Sequence, residues 1–484
     1  MSTPNAYALG FRSVEREFTN RRLPLAGTIP DWLSGRLIRN GPGRFEVGGE
    51  RATHWFDGLA MLRRYAFADG AVRYTNRFLR TEAYDAAVRG ERTGEFASGP
   101  SPGRQALRWL RALGPPESTD NANVNVVRFG DHYVAQTEAP RRIAFDPDTL
   151  ATRGEFRFTD DLPLHLSTAH PTVDPRTGET VGFGLQFGRR HQYHCYTVDP
   201  ETAARRRIGT APAEGPGYIH DCAVTRDYVV LVETPLRIDV WRALVPWGDG
   251  LLDMLRYDDD RGTRLIVVDR ETGELVVDPV VSPFFTFHHV NAYQSNGEVV
   301  MDLVAFEDAS IVDALSFETL SDDAFAAAPE GYLDRFRIDL DAPDVTRTRR
   351  YDGGLELPTV PPAVRTRPYR YAYAQATDRR GANGLVKVDL DRETATEWWG
   401  RGVYVEEPRM VQRPGADAED DGVVLAPALD TDAERSVLLV FDAETLSLLA
   451  RAPLPHAVPF GFHGRFFPAD DRDTRSNQRR LDDC

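Results

Sequence analysis

Cysteine, lysine and long apolar runs are what this chain has least of. Its 484 residues include 3 cysteines, Cys195, Cys222 and Cys484. They cannot all pair and their spacing fits no zinc motif, so a disulfide framework is excluded and a reducing compartment is expected. No stretch approaches the roughly 18 apolar residues that span a bilayer. Met1–Asn20 has no apolar core of the kind a signal peptide carries. These absences predict a soluble, cytoplasmic protein. Lys387 is the one lysine, so nearly every cation is arginine, and the formal net charge is -16. Such a chain has no basic face for phosphate, which argues against nucleic acid. An acidic, lysine-poor surface suits a salty cytoplasm; a GC-rich genome gives the same bias without salt.

What is present is mostly strand-like. Apolar residues make up 41% of the chain. Runs such as Val124–Phe129, Tyr228–Glu233, Leu265–Asp269, Glu298–Phe306 and Ser436–Asp442 are rich in Val, Leu, Tyr and Phe and are bounded by turn residues. A motif of the form apolar-Asp-x-x-Thr recurs, with its Asp at 146, 174, 199, 269 and 442. Asp and Thr side chains bond the local backbone in tight turns. Hairpins repeated at such intervals fit a β-propeller, and they also fit a generic multi-hairpin protein. No linker interrupts the chain, so one domain over 1–484 is expected, with an N-terminal extension over 1–30 and a loose polar tail over 470–484.

Two segments break the β rhythm. Arg104–Leu113 reads as a short helix with Arg104, Arg108 and Arg111 on one face and Leu107, Trp109 and Leu110 away from it. Leu236–Tyr257 carries Trp241, Leu244, Val245, Trp247, Leu251, Leu252, Met254 and Leu255. A basic amphipathic helix in an acidic protein is a membrane-surface signal; a helix packed on the propeller has the same pattern.

Four of the 11 histidines sit in apolar, turn-flanked settings far apart: His170, His220, His288 and His463. Imidazole is the commonest metal ligand and suits iron, copper, nickel and zinc alike. Inner strands of separate blades could bring the four together, but spacing alone does not. His191 and His194 are three apart, which on a strand puts the rings on opposite faces. His289 points away from His288 by the same rule. His54, before Trp55-Phe-Asp-Gly58, reads as structural, and His132, His165 and His456 as solvated.

Gly35-Arg-Leu-Ile-Arg-Asn-Gly-Pro42 followed by His54-Trp-Phe-Asp-Gly58 resembles the N-terminal signature of carotenoid cleavage oxygenases. The four histidine contexts resemble that family's iron-binding motifs in order, and Val458-Pro-Phe-Gly-Phe-His-Gly464 is the most specific. Glu356-Leu-Pro358, Glu407-Pro408 and Glu419-Asp-Asp-Gly422 fall between the last two, also in family order. The match runs from about Gly35 to Gly464. The resemblance implies an all-β, seven-bladed propeller with a helical, apolar cap on one face. It implies Fe(II) on four ligands, His170, His220, His288 and His463. It also implies that Glu138, Glu356 and Glu407 accept the outward N–H of three of them, leaving His170 without such a partner. His288 rather than His289 matches the ligand's place.

The implied reaction is cleavage of a carotenoid or apocarotenoid C=C bond by O2 to aldehyde or ketone products, retinal among the candidates. Fe(II) can pass an electron to O2 where zinc cannot. Fe(II) and three buried carboxylates would leave a local charge near -1, which offsets much of the cost of burying either sign alone. Phe284, Phe285, Phe287, Trp398 and Trp399 are candidates for an apolar tunnel wall. Leu107, Trp109, Leu110, Trp241 and Trp247 are candidates for membrane contact and substrate entry. Within the same fold, stilbene cleavage competes, with Tyr84 as a phenol anchor. Against it, Thr137 stands where stilbene-cleaving relatives carry a lysine, and Lys387 is remote. Isomerisation of a retinoid ester, a non-catalytic carotenoid-binding propeller and a calcium-dependent lactonase propeller compete as well.

Overall fold

Seven antiparallel sheets follow one another around a ring in this computed structural model. The structure describes residues 6–93, 96–98, 118–242, 250–323, 328–342 and 344–469. Blades 2 to 6 are local in sequence, spanning residues 125–156, 166–212, 222–281, 289–351 and 355–398. Blades 1 and 7 are closed by chain ends. Gly464–Pro468 pairs with Gly35–Arg39 in blade 1, and Ala26–Gly27 pairs with Leu448–Pro453 in blade 7. Phe18–Arg22 adds an outer strand to blade 1. Within the stretch 1–30, expected as an extension, Phe18–Arg22 and Ala26–Gly27 are therefore part of the ring, because their backbone supplies ladder partners at the closure.

Burial falls from the inside outward. Glu298–Ala305 is almost wholly buried, whereas the outer strand Val345–Tyr351 of the same blade is exposed over Thr346–Arg349. Central strands are covered on both faces by neighbouring blades, so they read as continuous apolar runs rather than alternating ones. The edge strands at the axis touch their neighbours: Asn125–Phe129 meets Gly464–Pro468, and Cys222–Val224 meets His289–Ser295.

The Asp-x-x-Thr motif does what its chemistry predicts. At Asp146, Asp199, Asp269 and Asp442, Oδ1 accepts both the backbone N–H and the hydroxyl of the Thr three residues on. The residue after the Thr then turns left-handed in all five copies, at Leu150, Gly178, Ala203, Gly273 and Leu446. Asp339 and Asp389 close equivalent outer hairpins without a Thr, which hid them in the sequence. Gly273 lies where blade 3 meets blade 4: its φ is +76 and a Cβ there would sit 2.3 Å from the Ile208 carbonyl oxygen. Gly273→Ala is expected to lose about 1–3 kcal/mol of stability in urea unfolding, through both the clash and the backbone strain.

Leu236–Tyr257, read as a break in the β rhythm, is strand at both ends: Leu236–Ile238 pairs with Leu255–Tyr257, and Leu252–Met254 is one 3-10 turn. Helices are short. Glu82–Val88, Ser310–Ala314 and Phe317–Asp323 are the described α-helices, and Ile311 of the second, with Leu315 after it, lines a large cavity. The segment Arg104–Leu113, with Leu107, Trp109 and Leu110, and Leu244, Val245 and Trp247 of the second segment lie outside the described residues. Among the described residues no helix is long and apolar enough to cross a membrane.

Candidate metal centre

Every blade sends one polar side chain to the axis. His463 precedes the inner strand of blade 1, His170 interrupts that of blade 3, and His220 and His288 precede those of blades 4 and 5. Glu138 follows the second strand of blade 2, Glu356 lies in the inner strand of blade 6, and Glu407 interrupts that of blade 7. The ligand atoms of the four histidines all lie within 4.8 Å of one another. Ring centroids are 4.2 Å apart for His170–His463 and 4.4 Å for His170–His220.

Three of these rings are oriented by carboxylates. Nδ1 of His220 is 2.5 Å from Glu138 Oε1, Nδ1 of His288 is 2.6 Å from Glu356 Oε2, and Nδ1 of His463 is 2.8 Å from Glu407 Oε1. An ionised carboxylate only accepts, so each Nδ1 carries the proton and each Nε2 presents a lone pair inward. Nε2 of His288 and Nε2 of His463 are 3.3 Å apart. Two lone pairs at that distance repel unless a cation lies between them. Nε2 of His170 is buried with no hydrogen-bond partner. Orphaned acceptors converging on one point fit a metal ion. Neutral imidazole is also the favoured state: burial and then the neighbouring rings hold His170 and His463 well below the ordinary histidine value. At His288 burial is again the largest influence and acts the same way, but the charge and hydrogen bond of Glu356, with the charges of Asp221 and Glu407, together overcome it and raise the value.

The carboxylates differ in their surroundings. Glu138 also accepts from the Tyr218 hydroxyl at 2.8 Å. Burial alone would raise its pKa, but His220 and Tyr218 together pull it down. Glu407 is gripped by two guanidiniums, Arg39 on Oε2 and Arg409 on Oε1, and accepts the Gly464 N–H at 3.0 Å. Glu406 beside it faces Arg39 at 3.5 Å and Arg63 at 3.9 Å. The local balance is therefore not set by three carboxylates alone, and a charge near -1 does not describe it. Tyr218, Arg39, Arg63, Arg409 and Glu406 were not singled out in the sequence. Tyr218 stands two residues before His220, which was a usable signal; the arginines had none among so many.

A cavity of about 840 Å³ opens onto one side of the centre, with His220, His288 and His463 in its wall and more apolar than polar lining. Trp55, Phe56, Phe96, Phe306, Phe460 and Phe462 line it. Of the expected tunnel aromatics only Phe287 does. Phe284 stacks on Phe336, Phe285 is fully buried in the core, Trp398 packs on Phe441, and Trp399 bonds Glu397 under Arg379. Phe284 and Phe285 are taken up in the core between blades, and Trp398 lies on the outermost strand of blade 6, away from the axis. Thr137 lines the cavity. Tyr84 packs on Phe78 and lies under the Arg80 guanidinium instead, and Lys387 is paired with Asp420 at 2.6 Å, so neither lies in the cavity wall.

The remaining histidines are structural or exposed. Nε2 of His54 donates to the Val312 carbonyl at 2.9 Å, and burial lowers its pKa to about 4. His194 bonds Gln186, and His289 faces Asp221. His132 and His165 are exposed. His456 is not the solvated residue expected: it packs against Phe18 and Tyr74, and burial lowers its pKa to about 4.

Ring and centre together define a metal-binding β-propeller in which four histidines on the axis, three of them anchored by carboxylates, face an apolar cavity. A family model described as retinal pigment epithelial membrane protein matches residues 11–468. The chain belongs to that family, the carotenoid cleavage oxygenases. It is 34% identical over 491 residues to the chloroplastic carotenoid cleavage dioxygenase 8 homolog A of Oryza sativa subsp. japonica, covering 95% of this chain and 87% of that one. It is 33% identical over 494 residues to the carotenoid isomerooxygenase of Galleria mellonella, covering 94% and 96%. Among solved structures, cobalt-substituted Synechocystis apocarotenoid oxygenase superposes with a TM-score of 0.86 at 29% identity, covering 96% of this chain and 99% of that one.

Proposed function

We propose that the protein is an Fe(II)-dependent dioxygenase that cleaves a C=C bond of a carotenoid or apocarotenoid into two carbonyl products. The observation that carries this is the juxtaposition of four converging imidazoles with a large, mainly apolar cavity, in a chain whose relatives bear carotenoid-cleaving names. Iron(II) at the four imidazoles supplies the electron transfer to O2 that zinc could not. The protein's own part is to bind and orient. Phe56, Phe287 and Phe462 offer ring faces to a polyene beside the histidines, and the apolar wall keeps water from it. Glu138, Glu356 and Glu407 hold the rings in one tautomer. The overall change, one C=C and one O2 to two C=O, balances without an outside reductant and asks no side chain to act as a nucleophile. Loading the protein anaerobically with Fe(II), then adding O2 and a panel of C40 carotenoids and apocarotenals, is expected to yield aldehydes detectable by mass spectrometry. No carbonyl product from any of them would end the proposal. Stilbenes belong in the same panel as the competing substrate.

Substrate is proposed to enter from a membrane surface. Trp241 is 81% exposed, and the next residue, Arg242, lines the cavity together with Leu251 and Met254. An exposed indole beside an apolar mouth suits the water–lipid boundary. The location proposed is the cytoplasmic face of the cell membrane. The protein is expected to float with liposomes, and Trp241→Ala to reduce the floated fraction. Recovery of the wild type only at the bottom of the gradient, at low and high salt, refutes this.

A further inference from the structure

We infer that Asn383 determines specificity: with Gln375 and Thr377 it forms a subsite for a hydroxyl-bearing end of the polyene, away from the bond that is cut. The inference rests on the proposed polyene cleavage and goes beyond it by naming the end group.

Asn383 is 4% exposed, yet its carboxamide makes no hydrogen bond among the described residues. It lines the cavity instead. A buried amide without a partner is costly, so its place in a mainly apolar wall calls for a partner from outside the chain. Two neighbours in the same wall share this condition. The Thr377 hydroxyl makes no hydrogen bond among the described residues. Gln375 donates its Nε2 to the Val405 carbonyl, which leaves Oε1 as a free acceptor.

Blade 6 gathers these groups on one face. Glu356 stands opposite Gln375 in the register, and Ala376 stands opposite Gly384. Opposed residues share a face, and so do residues two apart on a strand. Thr377 therefore falls beside Gln375, and Asn383, the residue before Gly384, falls opposite Thr377. Glu356, Gln375, Thr377 and Asn383 all lie in the cavity wall. The row begins at the carboxylate that orients His288. It ends two strands across and two residues along, on the order of 10 Å from Glu356 by the spacings of a β-ladder. That separation suits an end group held in place while a bond nearer the histidines is cut.

The balance of donors and acceptors selects the end group. The oxygens of Gln375 and Asn383 need a donor, and the Asn383 amide N–H groups need an acceptor. A hydroxyl is both, whereas a ketone or aldehyde only accepts. A carboxylate end would meet Glu330, Asp378 and Glu406 in the same wall. A plain hydrocarbon ring leaves the three side chains unpaired, which is how a polar pocket rejects an analogue lacking its hydroxyl.

The test measures binding rather than turnover. Fe(II)-loaded protein is kept free of O2 in detergent and titrated with β-carotene, its ring-hydroxylated derivative and its ring-ketone derivative. Quenching of tryptophan fluorescence reports binding, since Trp55 lines the cavity. The hydroxylated polyene is expected to bind at least about tenfold more tightly than the hydrocarbon. Asn383→Leu, close in volume, should erase that difference by weakening the hydroxylated polyene while the hydrocarbon binds as before, which also shows an intact fold. Asn383→Ser, which keeps a hydroxyl, should retain part of the preference. Equal binding of the hydroxylated and plain polyenes by the wild type, or a preference that survives Asn383→Leu, would mean an amide that merely holds water. The ketone binding as tightly as the alcohol would overturn the hydroxyl class. If none of the three binds, the polyene reading itself fails, and this inference fails with it.

Discussion

His288→Ala is expected to leave the protein folded but nearly metal-free, with carotenoid cleavage lost. The ring sits where the lone pairs of His288 and His463 come within 3.3 Å, so a cation bound there loses its ligand from blade 5. Losing only an orienting carboxylate typically costs 10–100-fold in metal affinity or activity, and Glu356→Gln is placed in that range. His288→Ala should exceed it, and His289→Ala, whose ring faces Asp221, should retain metal. Metal content per chain by mass spectrometry and product yield under O2 give the order. If His289→Ala loses as much metal as His288→Ala, the assignment of the blade 5 ligand is wrong.

Glu407→Ala should unfold far more easily than Glu138→Ala. Glu407 is the shared partner of Arg39, Arg409, His463 and the Gly464 N–H. Removing it strands Arg409 and leaves buried Arg39 only Glu406 at 3.5 Å and the Phe462 carbonyl at 3.1 Å, and breaking a buried pair from one side costs about 3–5 kcal/mol. Glu138 has His220 and Tyr218 but no guanidinium on it, so its removal should weaken metal binding more than folding. Urea unfolding of the two variants without metal separates the effects. Equal losses would mean that the arginines find solvent or other partners.

The two expectations show that the carboxylates, alike in the sequence, are not alike in role. Each looked like an orienting group for one ring. Glu407 is also the counter-ion that lets Arg39 and Arg409 lie inside the ring at all. Nothing near Arg39 in the chain announces this, because its partner lies 368 residues away.

The sequence by itself determined the strands and the turns. These rest on local chemistry: apolar runs between turn formers, and an Asp that caps its own hairpin. It picked out four histidines in tight apolar contexts, but their reading as one ligand set, and the choice of His288 over His289, came from the family resemblance; strand alternation said only that those two rings point opposite ways. Only the tertiary structure decided which aromatics face the cavity, that Phe18–Arg22 and Ala26–Gly27 belong to the ring, and that His456 is sheltered. Those outcomes depend on which blades become neighbours when the ring closes, and the closing contacts join residues hundreds of positions apart.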